Sequence, residues 1–223
     1  MLDVTTIDPL RDERALRADA QRNLTRILEA AAEVFAEAGA EASVAEIAER
    51  AGVGTATIFR RFPTKEDLLA AIVEQRVRGI ADSAREAAGS KDPGKALRQF
   101  MVSAAAAYIG DRGYCDAAGT RVFAQPAVQE LVDELVASLE QLLQRAKEAG
   151  EVREDVSAAD ITILLMAVAQ AGLKVESVVP GAWHRYLDIV LDGLRPEGAR
   201  PLSRKALTRK QLGAARAPAP HCR

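Results

Sequence analysis

Apolar residues recur at helical spacing along most of the chain, and no segment shows the two-residue alternation of a half-buried strand. A first stripe begins at Leu24 and ends at Gly39, a residue type that commonly terminates helices. A short second helix should follow the capping box of Ser43 and Glu46, and a short third helix should be capped by Thr55. The pattern therefore predicts an all-α protein.

The rest of the chain carries longer helical patterns. Most of them begin at a proline or at a capping pattern, the clearest being Thr64–Asp67, Pro93, Pro126 and Ser157–Asp160. Pro63 ends the third helix, because the residue before a proline is pushed out of the helical region. Further helices are predicted over about 65–88, 93–108, 126–149, 158–174 and 183–194. Residues 109–120 contain three glycines and are interpreted as a loop.

These patterns divide the chain into four parts. Residues 1–20 are charged and show no periodicity, so we expect a flexible arm. Residues 21–75 should form a first folded unit and residues 76–196 a second one. Residues 197–223 mix basic residues with proline, alanine and glycine, and this composition predicts disorder.

Composition and charge narrow the function. The chain has 223 residues, is 48% hydrophobic and carries a formal net charge of -2, which argues against a histone-like polybasic binder but permits a local basic patch. Two cysteines and two histidines without CxxC or HxxxH spacing predict no metal and no cofactor. The longest apolar stretch, 161–169, is too short to span a bilayer, and no signal peptide is evident, so we expect a cytoplasmic protein without a membrane partner.

Residues 43–62, SVAEIAERAGVGTATIFRRF, meet the stereochemical demands of a helix-turn-helix. Such a motif needs a capping residue, a small residue where the helices cross, a glycine with positive φ in the turn, and apolar residues that fill the turn and hold the second helix. In that order, these scaffold positions are Ser43, Ala48, Gly52, Val53 and Ile58.

The second helix of this motif should present a polar outer face to a DNA major groove. That face carries Thr55, Thr57, Arg60 and Arg61. Charged residues on a short helix are more often only a solvated surface. Arg60 is the best candidate for base reading, since a guanidinium can bind O6 and N7 of guanine together.

The segments RILEAAAEVFAEAG and SVAEIAERAGVGTATIFRRFPTKEDLL resemble the DNA-binding domain of the tetracycline-repressor (TetR) family over residues 22–73. The resemblance implies that Phe59 also contacts DNA and that Thr64 and Lys65 bind phosphate. Phe59 stands where the family usually has tyrosine, which removes a hydroxyl, and Arg61 stands where the family often has histidine, which adds a permanent charge.

The basic residues of the N-terminal arm could reach an adjacent groove or the phosphates. They are Arg11, Arg14, Arg17 and Arg22.

The C-terminal part is also similar to this family, through RYLDIVLDGLRP at 185–196. In such proteins the last two helices pair with those of a second copy, which implies a homodimer through residues 158–174 and 183–194. The alternative is that the apolar helix at 158–174 is simply the core of a monomer. A dimer suits a protein that must contact two half-sites.

The resemblance further implies a small-molecule effector, which we place among the helices at 93–108, 126–149 and 158–174 and the loop at 109–120. Residues that could line its pocket are Phe100, Met101, Tyr108, Tyr114, Phe123, Met166 and Gln170. Each of these is more often plain core, but aromatic and methionine side chains would suit an apolar, uncharged ligand. Gln170, within an apolar helix, requires a hydrogen-bonding partner.

The sequence therefore predicts a DNA-binding regulator, in particular a ligand-released repressor that binds a palindromic operator of double-stranded DNA as a dimer. An activator or a ligand-independent DNA binder would carry the same motif. An enzyme is disfavoured because no phosphate-binding loop or nucleophile–histidine–carboxylate set is present. An interaction protein with a vestigial motif would show no salt-dependent binding to duplex DNA.

Overall fold

The computed structural model describes residues 9–109 and 121–216, and within these two ranges every regular element is helical. The prediction of an all-α fold is confirmed. The α-helices of these ranges are α1 (Pro9–Ala38), α2 (Val44–Ala51), α3 (Thr55–Arg61), α4 (Lys65–Ala88), α5 (Pro93–Ile109), α6 (Pro126–Glu148), α7 (Ala158–Glu176), α8 (Trp183–Gly193) and α9 (Arg209–Arg216). Short 3-10 helices cover Gly39–Glu41 and Arg121–Ala124.

Prolines and capping side chains start the long helices at the predicted positions. At α4 the Thr64 hydroxyl accepts a hydrogen bond from the N–H of Asp67 at 3.1 Å, and the Asp67 carboxylate accepts one from the N–H of Thr64 at 3.0 Å. Ser157 and Asp160 form the same reciprocal pair at the start of α7, and Pro93 is the first residue of α5. These predicted helix starts are confirmed.

The two short helices begin differently from expectation. The Ser43 hydroxyl caps α2, but the Glu46 carboxylate pairs with Arg50 at 3.4 Å instead of returning to the Ser43 backbone. Thr55 is the first helical residue of α3, and Gly54 is the N-cap. The predicted cap at Thr55 is wrong, because a residue already in helical conformation cannot occupy the extended N-cap position.

Residues 21–75, here called the head, enclose a core of their own. Helices α1, α2 and α3 and the first turns of α4 bury Phe35, Ile47, Ile58 and Leu68 together. Residues 76–196, called the body, bury a larger core between α4, α5, α6, α7 and α8. Each core is thus formed by helices that cover one another's apolar stripes.

Helix α4 connects the head to the body and lies along α6 for most of its length. Near the head, Val73 and Val77 of α4 pack against Val128 and Leu131 at the start of α6. At the other end, the Arg145 guanidinium donates a hydrogen bond to the carbonyl oxygen of Ala88. The two helices therefore run parallel, and the direction of α4 is fixed by the body.

The N-terminal arm predicted for residues 1–20 is wrong from residue 9 onward, because α1 begins at Pro9 and continues for 30 residues. Proline suits the first helical position, and the leucine, arginine, alanine and glutamate residues that follow it are strong helix formers. This part of α1 lacks an apolar stripe, and the sequence interpretation relied on such stripes.

The disorder predicted for the C-terminal tail is also wrong over residues 197–216, here called the strap. Arg153 of the body donates to the carbonyl oxygen of Arg200, and the backbone N–H of Leu202 donates to the Asp155 carboxylate at 3.0 Å. Further on, Arg209 pairs with Glu140 of α6, with N–O distances of 3.2 and 2.5 Å. The strap therefore forms hydrogen bonds and an ion pair with the body at several points.

Low pH should weaken the contact that the Asp155 carboxylate makes with the strap. The Arg153 guanidinium bonds to Asp155 and, together with the Leu202 N–H, lowers the pKa of this carboxyl to about 2 from its ordinary value of 3.8. A carboxyl with a lowered pKa in the folded state contributes stability above its ordinary pKa. That contribution is lost as the pH falls through the range from 3.8 to about 2.

A single leucine anchors the strap in the body core, and its truncation should lower stability. Leu212 is 3% exposed and belongs to the main apolar cluster of the body. We expect Leu212→Ala to reduce the free energy of unfolding by about 2 kcal/mol, because it removes buried methyl groups and leaves a cavity. Urea unfolding at fixed protein concentration measures this change.

Leu207→Ala is the matched control, because Leu207 lies on the same strap but is 37% exposed. It should have a clearly smaller effect than Leu212→Ala. Equal stability of the wild type and Leu212→Ala would show that the strap does not support the body.

Helix α7 is longer and more apolar than the sequence analysis allowed when it predicted that no segment could cross a bilayer. Among the described residues, this helix of 19 residues, with a mean hydropathy of 1.5, is long and apolar enough for a membrane span by length and composition alone. The core helix of a soluble protein passes the same test. Ile161, Leu165 and Ala169 of α7 are buried in the body core, which gives the apolar composition a structural reason.

Candidate nucleic-acid interface

Helices α2 and α3 and the turn between them have the geometry that the scaffold residues predict. Gly52 ends α2 with φ of +66°, and its N–H donates to carbonyl oxygens at the end of the helix. Ala48 is buried where the helices meet, Ile58 fixes α3 to the core of the head, and Val53 packs half-buried in the turn. A side chain at position 52 would be strained because of the positive φ, although its Cβ would meet only the Arg26 guanidinium, at 3.8 Å.

The outer face of α3 is open to solvent. Thr55, Arg60 and Arg61 are exposed, Phe59 is 46% exposed, and Thr57 is half-buried. An aromatic ring this exposed gains little from packing inside the chain, so it is available for stacking on a partner. Neither arginine forms an ion pair with the side chains that the structure describes, which leaves both guanidinium groups available to phosphate or base edges.

The start of α4 lies directly after this face. The capping box already uses the hydroxyl and the N–H of Thr64, since both bond to the Asp67 carboxylate at 2.8 and 3.0 Å. The Lys65 ammonium lies 5.8 Å from the centroid of the Phe35 ring. Phosphate binding by Thr64 would therefore compete with its own cap, whereas Lys65 can approach a phosphate as a point charge.

Arg22 lies on α1 and is exposed, as a phosphate-binding residue should be. Its guanidinium pairs with Asp19 one turn earlier, in an arrangement that leaves both side chains largely in solvent. A pair of this kind is weak and screened, so a phosphate can replace the carboxylate at small cost. The side chains of Arg11, Arg14 and Arg17 lie outside the described part of the chain.

Acidic residues of the head are held on the side of α1 that faces α2. Arg50 bonds to both carboxylate oxygens of Glu37 at 2.9 and 3.0 Å and lies 3.8 Å from Glu33. This hydrogen bonding lowers the pKa of Glu37 and raises the pKa of Arg50. The arrangement partly neutralises negative charge that would otherwise oppose the approach of DNA.

Comparisons with known proteins agree with this geometry. Residues 27–72 match the family described as bacterial regulatory proteins, tetR family, and residues 92–196 match a transcriptional regulator SbtR-like C-terminal domain. The structure of a TetR transcription regulatory protein from Mycobacterium vanbaalenii is 39% identical, with a TM-score of 0.58, and the match covers 81% of this chain and 99% of that one. A TetR transcriptional regulator from Streptomyces coelicolor is 32% identical, with a TM-score of 0.60, over 77% of this chain and 98% of that one.

The chain belongs to the TetR family. As a member of this family it is a DNA-binding transcriptional regulator, and the related proteins are regulators rather than enzymes. An uncharacterized HTH-type transcriptional regulator from Mycobacterium tuberculosis is 28% identical over 158 residues, covering 69% of this chain and 82% of that protein. The fold also matches a FadR from Bacillus subtilis in complex with stearoyl-CoA, at 20% identity and a TM-score of 0.58, over 77% of this chain and all of that one.

Of the described residues predicted to line an effector pocket in this TetR-family chain, the structure brings only two together at one cavity. Met101 is fully buried core, and Phe123 packs where α4 meets α6. Met166 is half-buried, and Gln170 is exposed on α7 and so needs no partner inside the protein. Tyr114 lies outside the described residues.

Phe100 and Tyr108, in contrast, line a cleft of about 460 Å³ between the head and the body. The sequence interpretation missed this head–body cleft, which is formed by α1, α4 and α5. The residues that line it are Leu28, Glu29, Ala32, Glu33, Ile72, Gln75, Arg76, Gly79, Ile80, Ser83, Phe100, Ser103, Ala104, Ala107 and Tyr108. Small residues one turn apart on α4 and α5 were the available signal, since small side chains leave space between helices.

Proposed function

We propose that this regulator is a ligand-released repressor that binds a palindromic operator as a homodimer in the cytoplasm. The observation that carries the proposal is the open face of α3, where Phe59, Arg60 and Arg61 lie together on a rigid helix-turn-helix. In this proposal Arg60 reads guanine, Phe59 stacks on the sugar-phosphate backbone, and Arg61 contacts phosphate. Thr55 and Thr57 face the groove beside them, and Thr64, Lys65 and Arg22 hold the flanking phosphates.

The homodimer is supported by an apolar surface on α7 and α8. Ile163 on α7 and Tyr186 and Ile189 on α8 are exposed, with Ile189 at 59%. The connection between these helices adds Val178 and Val179, which are also exposed. Soluble proteins seldom leave so many large apolar side chains together in solvent, and a second copy of the same surface would cover them. We therefore place the interface at 158–174 and 183–194.

Release by a ligand is supported by the way in which α4 joins the two units. The first turns of α4 belong to the core of the head and the rest lies on the body, so a change in the body would move the head. A fold neighbour, the FadR from Bacillus subtilis, is in complex with stearoyl-CoA, which supports the proposal of a ligand for this architecture. A ligand that favours one arrangement of α4 would weaken operator binding if coupling reaches about 1–3 kcal/mol.

Selection from a pool of random DNA duplexes, at two salt concentrations, tests the proposal. We expect enrichment of a palindromic site and a steep loss of affinity at higher salt, because the head neutralises phosphates. An enriched site without symmetry would contradict the dimer, and no enriched site would contradict specific DNA binding. Transcription from a promoter carrying the selected site, with and without the protein, then separates a repressor from an activator.

A further inference from the structure

The head–body cleft exists because small side chains line the helices around it. Gly79 and Ser83 of α4 lie opposite Ala104 and Ala107 of α5, and Ala32 contributes from α1. A Cβ atom built on Gly79 would meet no heavy atom within 4 Å, so the space above this residue is open. Helices α1 and α5 consequently face each other across a gap instead of packing together.

The volume of the cleft and the character of its floor suit a small organic molecule. Ile72, Ile80, Phe100 and Ala104 are buried and form an apolar base. A volume of about 460 Å³ falls within the range of about 300–1,000 Å³ that is typical of ligand sites. Ser83 and Ser103, both exposed, also line the cleft, and the Ser83 hydroxyl donates to the carbonyl oxygen of Gly79 at 3.0 Å.

The wall formed by α1 carries negative charge. Glu29 and Glu33 lie one turn apart on this wall, and both are exposed. Glu33 has Arg50 at 3.8 Å, whereas Glu29 forms no ion pair with the described side chains. Arg76 on the α4 wall is the one cation among the lining residues and is already engaged in a contact of its own. Because Arg50 already lies beside Glu33, Glu29 is the carboxylate of this wall that can attract the charged end of a cationic ligand.

We propose that the head–body cleft binds an organic cation, a small molecule with an apolar body and one ammonium-type end. The apolar body lies on the floor between α4 and α5, and the charged end lies against Glu29. The site differs from the pocket that the sequence suggested inside the body, and its ligand differs from the uncharged effector expected there.

Such a ligand would contact both the head and the body, and this position gives it a regulatory role. That role rests on the proposed function. It contacts α1 on one side and α5 on the other, so it favours one orientation of the head over the others. A ligand shifts an equilibrium only by its difference in affinity between the two states, and a bridging position provides that difference.

Binding of three probes that share one apolar body tests the charge preference. The probes are 4-phenylbutylammonium, the neutral 4-phenylbutanol and the anion 4-phenylbutyrate, each titrated calorimetrically into the full chain without DNA. We expect the cation to bind about threefold more tightly than the alcohol, since an exposed ion pair contributes modestly, and the anion to bind most weakly. Equal affinity for the three probes, or tightest binding of the anion, would overturn the assignment of a cation.

Substitutions at Gly79 and Glu29 test the location. Gly79→Leu fills the cleft and should weaken binding of the cation about tenfold or more. Gly79→Ala is the matched control: it adds a single methyl group to the same exposed helical position and should leave binding nearly unchanged. Glu29→Gln should remove the preference for the cation over the alcohol. Unchanged binding in Gly79→Leu would show that the probe binds elsewhere and would overturn the site.

Operator affinity, measured separately, distinguishes this inference from the proposed function. Operator binding without any probe binding would leave the DNA-binding regulator intact and overturn the cleft as a ligand site. Probe binding that Gly79→Leu removes, without any effect on operator affinity, would establish the site and contradict release through it.

Discussion

Replacing Arg60 with alanine should weaken binding to the selected operator about ten- to hundredfold, equivalent to about 1–3 kcal/mol. The side chain is exposed on the outer face of α3 and makes no ion pair with the described side chains, so its truncation removes no contact that supports the fold. A guanidinium that binds O6 and N7 of one guanine contributes discrimination as well as affinity. Fluorescence anisotropy with the operator and with a duplex altered at that base measures both quantities.

The control variant for this experiment is Arg78→Ala. Arg78 is also an exposed arginine, but it lies on α4 and pairs with Glu74 at 2.9 Å. It should leave operator affinity within about twofold, because surface pairs of this kind contribute little. If Arg60→Ala weakens binding equally to all duplexes, Arg60 contacts phosphate and another residue reads the base.

Ile189→Glu should convert the protein to a monomer and thereby remove high-affinity operator binding. Ile189 is the most exposed large apolar residue on α8, and a carboxylate there would be buried without a partner in the dimer. We expect the dimer dissociation constant to rise about thirtyfold or more, which corresponds to about 2 kcal/mol. Analytical ultracentrifugation over a range of protein concentrations measures it.

Leu202→Glu provides the comparison for this variant, because Leu202 is an exposed apolar residue of the strap rather than of α7 or α8. It should leave the dimer intact. A fully dimeric Ile189→Glu protein would place the interface elsewhere on the molecule. If each half-site binds one head, as proposed, loss of the dimer should reduce operator affinity far more than it reduces binding to a single half-site.

The parts of the fold that the sequence predicted are those set by neighbouring residues. Thr64 with Asp67 and Ser157 with Asp160 mark helix starts within four residues, and Pro93 and Pro126 act through their own backbone geometry. The helix-turn-helix was predicted for the same reason, since a glycine at one position and small or branched residues near it fix the turn.

The features that the sequence did not predict depend on contacts between distant segments. The strap is ordered by its contacts with Asp155 and Glu140 and by the burial of Leu212 in the body core, and none of these contacts is visible in the composition of the tail. The head–body cleft depends on how three helices pack, and small residues alone could equally have indicated close packing. The N-terminal part of α1 was missed because helix propensity without an apolar face carries no periodic signal.

In the proposed mechanism, the length of α4 would turn small movements in the body into larger movements at the DNA. A helix of 24 residues is about 36 Å long, so if α4 and α6 tilt together by about 5° about the body end of α4, its other end moves by about 3 Å. If both heads of a dimer move apart in this way, their separation changes by about 6 Å, close to the rise of two base pairs at about 3.4 Å each. If the protein is the ligand-released dimer proposed above, α4 would act as a lever arm, and binding to an operator with a fixed half-site spacing would respond to a displacement near the ligand that is too small to measure easily.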